Sequence, residues 1–130
     1  MKVYRNFIYL PSHWNQFTHP VTGEAYSLCV QTWVAARTGR AQVEACVNVF
    51  AWQGPRQILI TRYELEPLAP FSAFALAAQY DEMAHNWIIA QSEPDVFSLI
   101  AYAFRDGTGP TIKVYGRELR DTVAIVRTVE

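Results

Sequence analysis

The stretch Tyr26–Trp52, YSLCVQTWVAARTGRAQVEACVNVFAW, decides how this chain is read. It reads as one β-hairpin whose turn is centred on Thr38 and Gly39. With those residues as the loop, Ala36 faces Ala41, Val34 faces Val43, Thr32 faces Ala45, Val30 faces Val47 and Leu28 faces Val49. Strand side chains alternate in direction, so every residue of that set falls on one side of the ribbon. The other side carries Cys29, Gln31, Trp33, Gln42, Glu44, Cys46, Asn48, Phe50 and Trp52. One face is small and aliphatic, suited to burial. The other mixes aromatic and polar groups, as a contact surface does.

The pattern extends in both directions. Gly54-Pro55 makes a second turn, and Gln57–Leu65 continues as a further strand. Its alternation puts Ile58 and Ile60 on the aliphatic face and Leu59, Thr61 and Tyr63 on the mixed face. Upstream, Val3–Leu10 reads as a short strand ended by Pro11, and residues 11–25 read as a long loop pinned by Trp14 and Phe17. Downstream, Phe71 to about Gln91 is rich in good helix formers and has no internal Gly or Pro. Phe74, Ala77, Ala78, Tyr80, Trp87 and Ile88 give it a broad apolar stripe, and alanines on the inward side would let it lie close to the sheet.

Ser92-Glu93-Pro94-Asp95 is a helix-start signal, with Ser92 as the cap and the acids at the positive helix end. Val96, Leu99, Ile100, Ala103 and Phe104 recur at helical spacing, and Asp106-Gly107 stops the run. Thr111–Tyr115 and Thr122–Val129 read as a final hairpin around GRELRD. The expectation is a single α+β domain over residues 1–130. It is an antiparallel β-meander, about six strands in all, with two consecutive helices on one face, in the order β-β-β-β-α-α-β-β.

Composition narrows the function classes. Hydrophobic residues make up 51% and charged residues 18%, so a packed core is expected rather than disorder. A formal net charge of -1 argues against a general nucleic-acid binder, which needs many cations to neutralise phosphates. No apolar run spans a bilayer and the N-terminus lacks a signal-peptide pattern, so the expected location is cytoplasmic, or the virion if the chain is virus-encoded. Cys29 and Cys46 lie on one face as diagonal neighbours, at or beyond disulfide reach, and are expected as free thiols. There is no Cys-x-x-Cys pattern, no nucleophile elbow and no glycine-rich phosphate loop opening a helix. Glu82 and His85 form one Glu-x-x-His pair, whereas a di-metal site needs two, so no metal and no cofactor are expected.

The chain is therefore expected to work by contact with protein rather than by catalysis. The candidate binding residues are Trp33, Glu44, Asn48, Phe50, Trp52 and Tyr63 on the mixed face, with Arg37 and Arg40 flanking the hairpin turn. The expected partner is another protein or a second copy, as in an assembly component or a host-directed inhibitor of viral origin. The alternative is a small-molecule binder or small enzyme with a pocket between the sheet and loop 11–25, using His13, His19, Glu44 and Asn48. A cavity uniting two of those side chains would favour the alternative, and a flat face would not.

Overall fold

A computed structural model describes residues 4–37, 39 and 41–115. It is an α+β fold in the order β-β-β-β-β-α-α-β: β1 Tyr4–Tyr9, β2 His13–Thr18, β3 Ala25–Arg37, β4 Val43–Gln53, β5 Arg56–Leu68, α1 Pro70–Ile89, α2 Glu93–Asp106 and β6 Thr111–Val114. The six strands form one sheet with β1 and β2 side by side on the same flank of β3, followed by β4, β5 and β6. All pairings are antiparallel except β5 with β6.

The central hairpin has the expected faces in a different register. Val30 pairs with Val49, Thr32 with Val47, Val34 with Ala45 and Ala36 with Val43. The connection spans residues 38–42 rather than Thr38-Gly39 alone. The slip is two places, and an even slip leaves each side chain on its original face. Leu28, Val30, Val47, Val49 and Ala51 are all completely buried. Burying each valine contributes about 1.5–3 kcal/mol relative to exposure. Gly54-Pro55 makes the tight second turn, with Gly54 at φ 57, a conformation that favours glycine in the first central position.

α1 lies across the aliphatic face. Ala73, Leu76, Ala77, Tyr80, Asp81, Ala84, Trp87 and Ile88 are buried, a stripe repeating every three or four residues. Ala78 is exposed, in contrast to the expected stripe. The small Ala73, Ala77 and Ala84 let the helix approach the Val-rich strands. α2 buries Val96, Ile100 and Ala103. Ser92 flanks its start, but its hydroxyl donates to the Asp95 carboxylate instead of capping a backbone N–H. Gly107, at φ 93, ends it.

Two irregularities correct the sequence reading. Residues 11–25 are not one loop, because β2 occupies His13–Thr18. Between the pairs Tyr9–Trp33 and His13–Val30, the β1–β2 margin has three intervening residues and β3 has two. One extra residue around Pro11 reverses the alternation, so His13, Asn15 and Phe17 turn toward the helices. The second irregularity lies in β5. Val49 pairs with Thr61 but Phe50 pairs with Leu59, which leaves Ile60 as an extra residue. Past that bulge Thr61, Tyr63 and Leu65 share the face of Val49, Val47 and Ala45. Thr61 and Tyr63 are therefore on the helix side and fully buried, not on the mixed face. The Tyr63 ring lies 5.2 Å from that of Tyr80 on α1.

The bulge is also where the chain returns from α2. Gly109 N–H donates to Leu59 O at 2.8 Å, and Arg62 N–H donates to Pro110 O at 3.1 Å. The two helices carry the chain back along the sheet, so β6 runs parallel to β5. The expected last strand, 122–129, lies outside the described residues.

The seam at Gly109 leaves no space for a side chain. A Cβ there would stand 1.7 Å from the carbonyl oxygen of Ile60. Gly109→Ala is expected to lower unfolding stability by about 2–3 kcal/mol. Equilibrium denaturation checks this; Gly109 is not among the positive-φ glycines, so the loss reports the steric clash with Ile60 rather than backbone strain.

Candidate functional site

The side of the sheet opposite α1 and α2 is built by register. One row across the strands reads Tyr9, Trp33, Cys46, Glu64 and Lys113. The next toward the β4–β5 turn is Gln31, Asn48, Arg62 and Thr111. Beyond it come Trp14, Cys29, Phe50 and Leu59, then Gln16, Ser27, Trp52 and Gln57. The face is graded across the strands, with charge concentrated on β5 and β6 and the aromatic groups Tyr9, Trp14, Trp33, Phe50 and Trp52 on β1 to β4.

Of the residues singled out from sequence, Trp33, Glu44, Asn48, Phe50 and Trp52 are on this face. Tyr63 is not, because of the Ile60 bulge. Arg37 ends β3 opposite Tyr4, and Arg40 lies outside the described residues. The structure adds Trp14, whose ring lies 6.3 Å from that of Trp52, and Arg62 and Glu64. Their signal was present in the sequence. Apolar residues of β5 switch from even positions, Ile58 and Ile60, to odd ones, Tyr63 and Leu65, while Arg62, Glu64 and Glu66 take the even places.

Asn48 organises the centre of the face. It is 4% exposed, and its Oδ1 accepts from Arg62 Nε at 2.7 Å and from the Cys46 thiol at 3.3 Å. Its Nδ2 donates to Gln31 O at 3.5 Å. Arg62 is thereby tied to β4. Lys113 forms an ion pair with Glu64. Trp33, Glu44, Cys46, Arg62, Glu64 and Pro67 line a depression of about 270 Å³, just below the usual range for a small-molecule pocket.

The two cysteines are far apart. Cys29 lies opposite Phe50 and Cys46 opposite Trp33, four places along the ribbon, or about 13 Å. Both are buried free thiols. Burial pushes each thiol up to about 11, which keeps it protonated and unreactive at neutral pH.

The groups of the alternative pocket do not converge. His13 is on the helix side of the sheet, where its Nε2 meets Asp81 Oδ2 at 2.8 Å and its ring stacks on His85 at 3.9 Å. Asp81 also accepts from the buried Thr32 hydroxyl at 2.7 Å. His19 Nδ1 accepts from the backbone N–H groups of Val21 and Thr22, and its ring packs on Phe97. Glu44 and Asn48 are on the opposite face. Among the described residues no cluster of three His, Cys, Asp or Glu side chains is arranged to hold a metal. No helix among them is long and apolar enough to cross a membrane.

Two outcomes follow from these environments. Asp81→Ala leaves the Thr32 hydroxyl without its acceptor, and is expected to cost about 2–3 kcal/mol by chemical denaturation. The thiols hold protons in the folded state that they lose near pH 9 when unfolded. Stability is therefore expected to fall as pH rises from about 9 to about 11. A Cys29→Ala/Cys46→Ala variant should lack that part of the decline in pH-dependent unfolding curves. No family model, no curated protein and no solved structure matches this chain.

Proposed function

We propose that this chain is a non-catalytic interaction or assembly protein that uses the mixed face of its sheet to bind protein, either another chain or a copy of itself. The observation that carries the reading is the composition of a sheet face with neither described helix on it. Trp14, Trp33, Phe50 and Trp52 stand on it, beside a polar group of Glu44, Arg62, Glu64 and Lys113. A sheet covered by helices on one side usually presents polar residues on the other. Aromatic anchors within a polar surround are instead the composition of protein contact sites. The rigid hydrogen bonding of Asn48 supports the same reading, because a surface already ordered before contact loses less entropy on binding. The depression of about 270 Å³ beside Trp33 is of a size for a partner side chain. A viral origin and a cytoplasmic or virion setting fit a small contact protein of this kind.

The test is a Trp33→Ser/Phe50→Ser double variant. Both positions are only partly buried, so the fold should be retained by circular dichroism. Association, measured by sedimentation for self-contact and by titration calorimetry for an identified partner, should weaken at least tenfold, or about 1.4 kcal/mol. Equal folding with unchanged self-association and unchanged partner affinity would refute the reading.

A further inference from the structure

β2 is the less guarded edge of the sheet. β1 and β2 form one margin and β6 the other. A marginal strand turns a row of backbone N–H and C=O groups outward, and natural edges are commonly protected by brevity, charge or proline. β6 has two such protections, being four residues long and carrying Lys113. β2, HWNQFT, is six residues long with no Asp, Glu, Lys or Arg and no internal proline. Pro11 and Pro20 stand just outside it. No strand among the described residues pairs with its outer side. The strand is held from the helix side, where His13 meets Asp81 and Asn15 Nδ2 donates to Ile88 O at 3.0 Å. It is thus an ordered template that carries no Asp, Glu, Lys or Arg.

We propose that β2 pairs antiparallel with β2 of a second copy of this chain, across a two-fold axis normal to the sheet. A symmetric strand pair satisfies both edges with one surface. Symmetry also limits the register. Opposed residues must share a face, so their numbers add to an even sum and one residue sits on the axis. Asn15 already donates its amide to the Ile88 carbonyl, whereas Gln16 is exposed on the mixed face. Gln16 is therefore the axial residue, and its two copies meet amide to amide. Trp14 of each copy then faces Thr18 of the other. The two mixed faces become one, with the Trp14–Trp52 pair of each copy beside the join. The pairing needs only the edge, so it holds whether or not the mixed face binds protein.

Charge at the axial position tests this on the full chain. The unaltered protein is expected to sediment at twice its 14.8 kDa mass. Gln16→Lys and Gln16→Glu each place like charges opposite one another, and each should weaken the dimer at least tenfold. An equimolar mixture of the two should restore it, an effect that a merely structural role for residue 16 does not produce. Amide hydrogen exchange across residues 13–18 should slow as protein concentration rises. The proposal is overturned by a monomer at every concentration, by variants as dimeric as the parent, by a mixture no tighter than its components, or by exchange independent of concentration. Association abolished by Trp33→Ser/Phe50→Ser yet untouched by Gln16→Lys overturns the edge pairing and leaves the face reading intact. Loss through Gln16→Lys and Gln16→Glu that the equimolar mixture restores, with Trp33→Ser/Phe50→Ser still dimeric, supports the edge pairing and leaves the face reading to be decided by affinity for another protein.

Discussion

The pairing of β3 with β4 is the constraint on which the remaining structure depends. It aligns Val30 with Val49, Thr32 with Val47 and Val34 with Ala45, and so gathers small, branched side chains on one side of a twisted ribbon. A helix can lie close on such a surface, and the buried side of α1 includes Ala73, Ala77 and Ala84. Burial of this layer gives most of the stabilisation, because apolar area removed from water is the dominant favourable term in folding. The same alternation sends indoles and phenyl rings to the other side. The helix-covered face and the mixed face are two consequences of one register.

Two of the extra residues in the strands then change which side chains reach each face. The one near Pro11 turns His13 and Asn15 inward, where they tie the edge strand to Asp81 and to the end of α1. The one at Ile60 turns Tyr63 inward and frees even-numbered positions for Arg62 and Glu64. It also creates the site at which Gly109 docks against the strand and β6 begins. Bulges re-aim side chains and end regular pairing. Here one of them couples the polar character of the mixed face to the return of the chain from the helices.

The fold class was legible because periodicity, turn residues and helix signals agreed. The faces of the central hairpin survived an error in register, since a slip of two places does not alter direction. Trp33, Glu44, Asn48, Phe50 and Trp52 were placed correctly for that reason. Tyr63 was misplaced because unbroken alternation was carried through Ile60, although the parity switch between Ile60 and Tyr63 records the bulge. β2 was hidden by Pro11 and by the polar residues of HWNQFT, which read as loop by composition. The Thr32–Asp81–His13 contact joins residues 49 and 68 positions apart, and no local spacing announces such a meeting. Its buried carboxylate was read only as part of a helix.

The four tryptophans divide by face, and this allows the account to be tested directly. Trp14, Trp33 and Trp52 are on the mixed side, whereas Trp87 is buried on the helix side at 8% exposure. Hydroxyl-radical footprinting of the full chain, read by mass spectrometry, reports each indole separately. The account predicts that Trp14 and Trp33 are oxidised well ahead of Trp87 in dilute protein, and that they become protected when the protein associates while Trp87 does not respond. Protection of Trp33 equal to that of Trp87 in the dilute state, or oxidation of Trp87 ahead of both, would contradict the division into a helix-covered side and a proposed contact side.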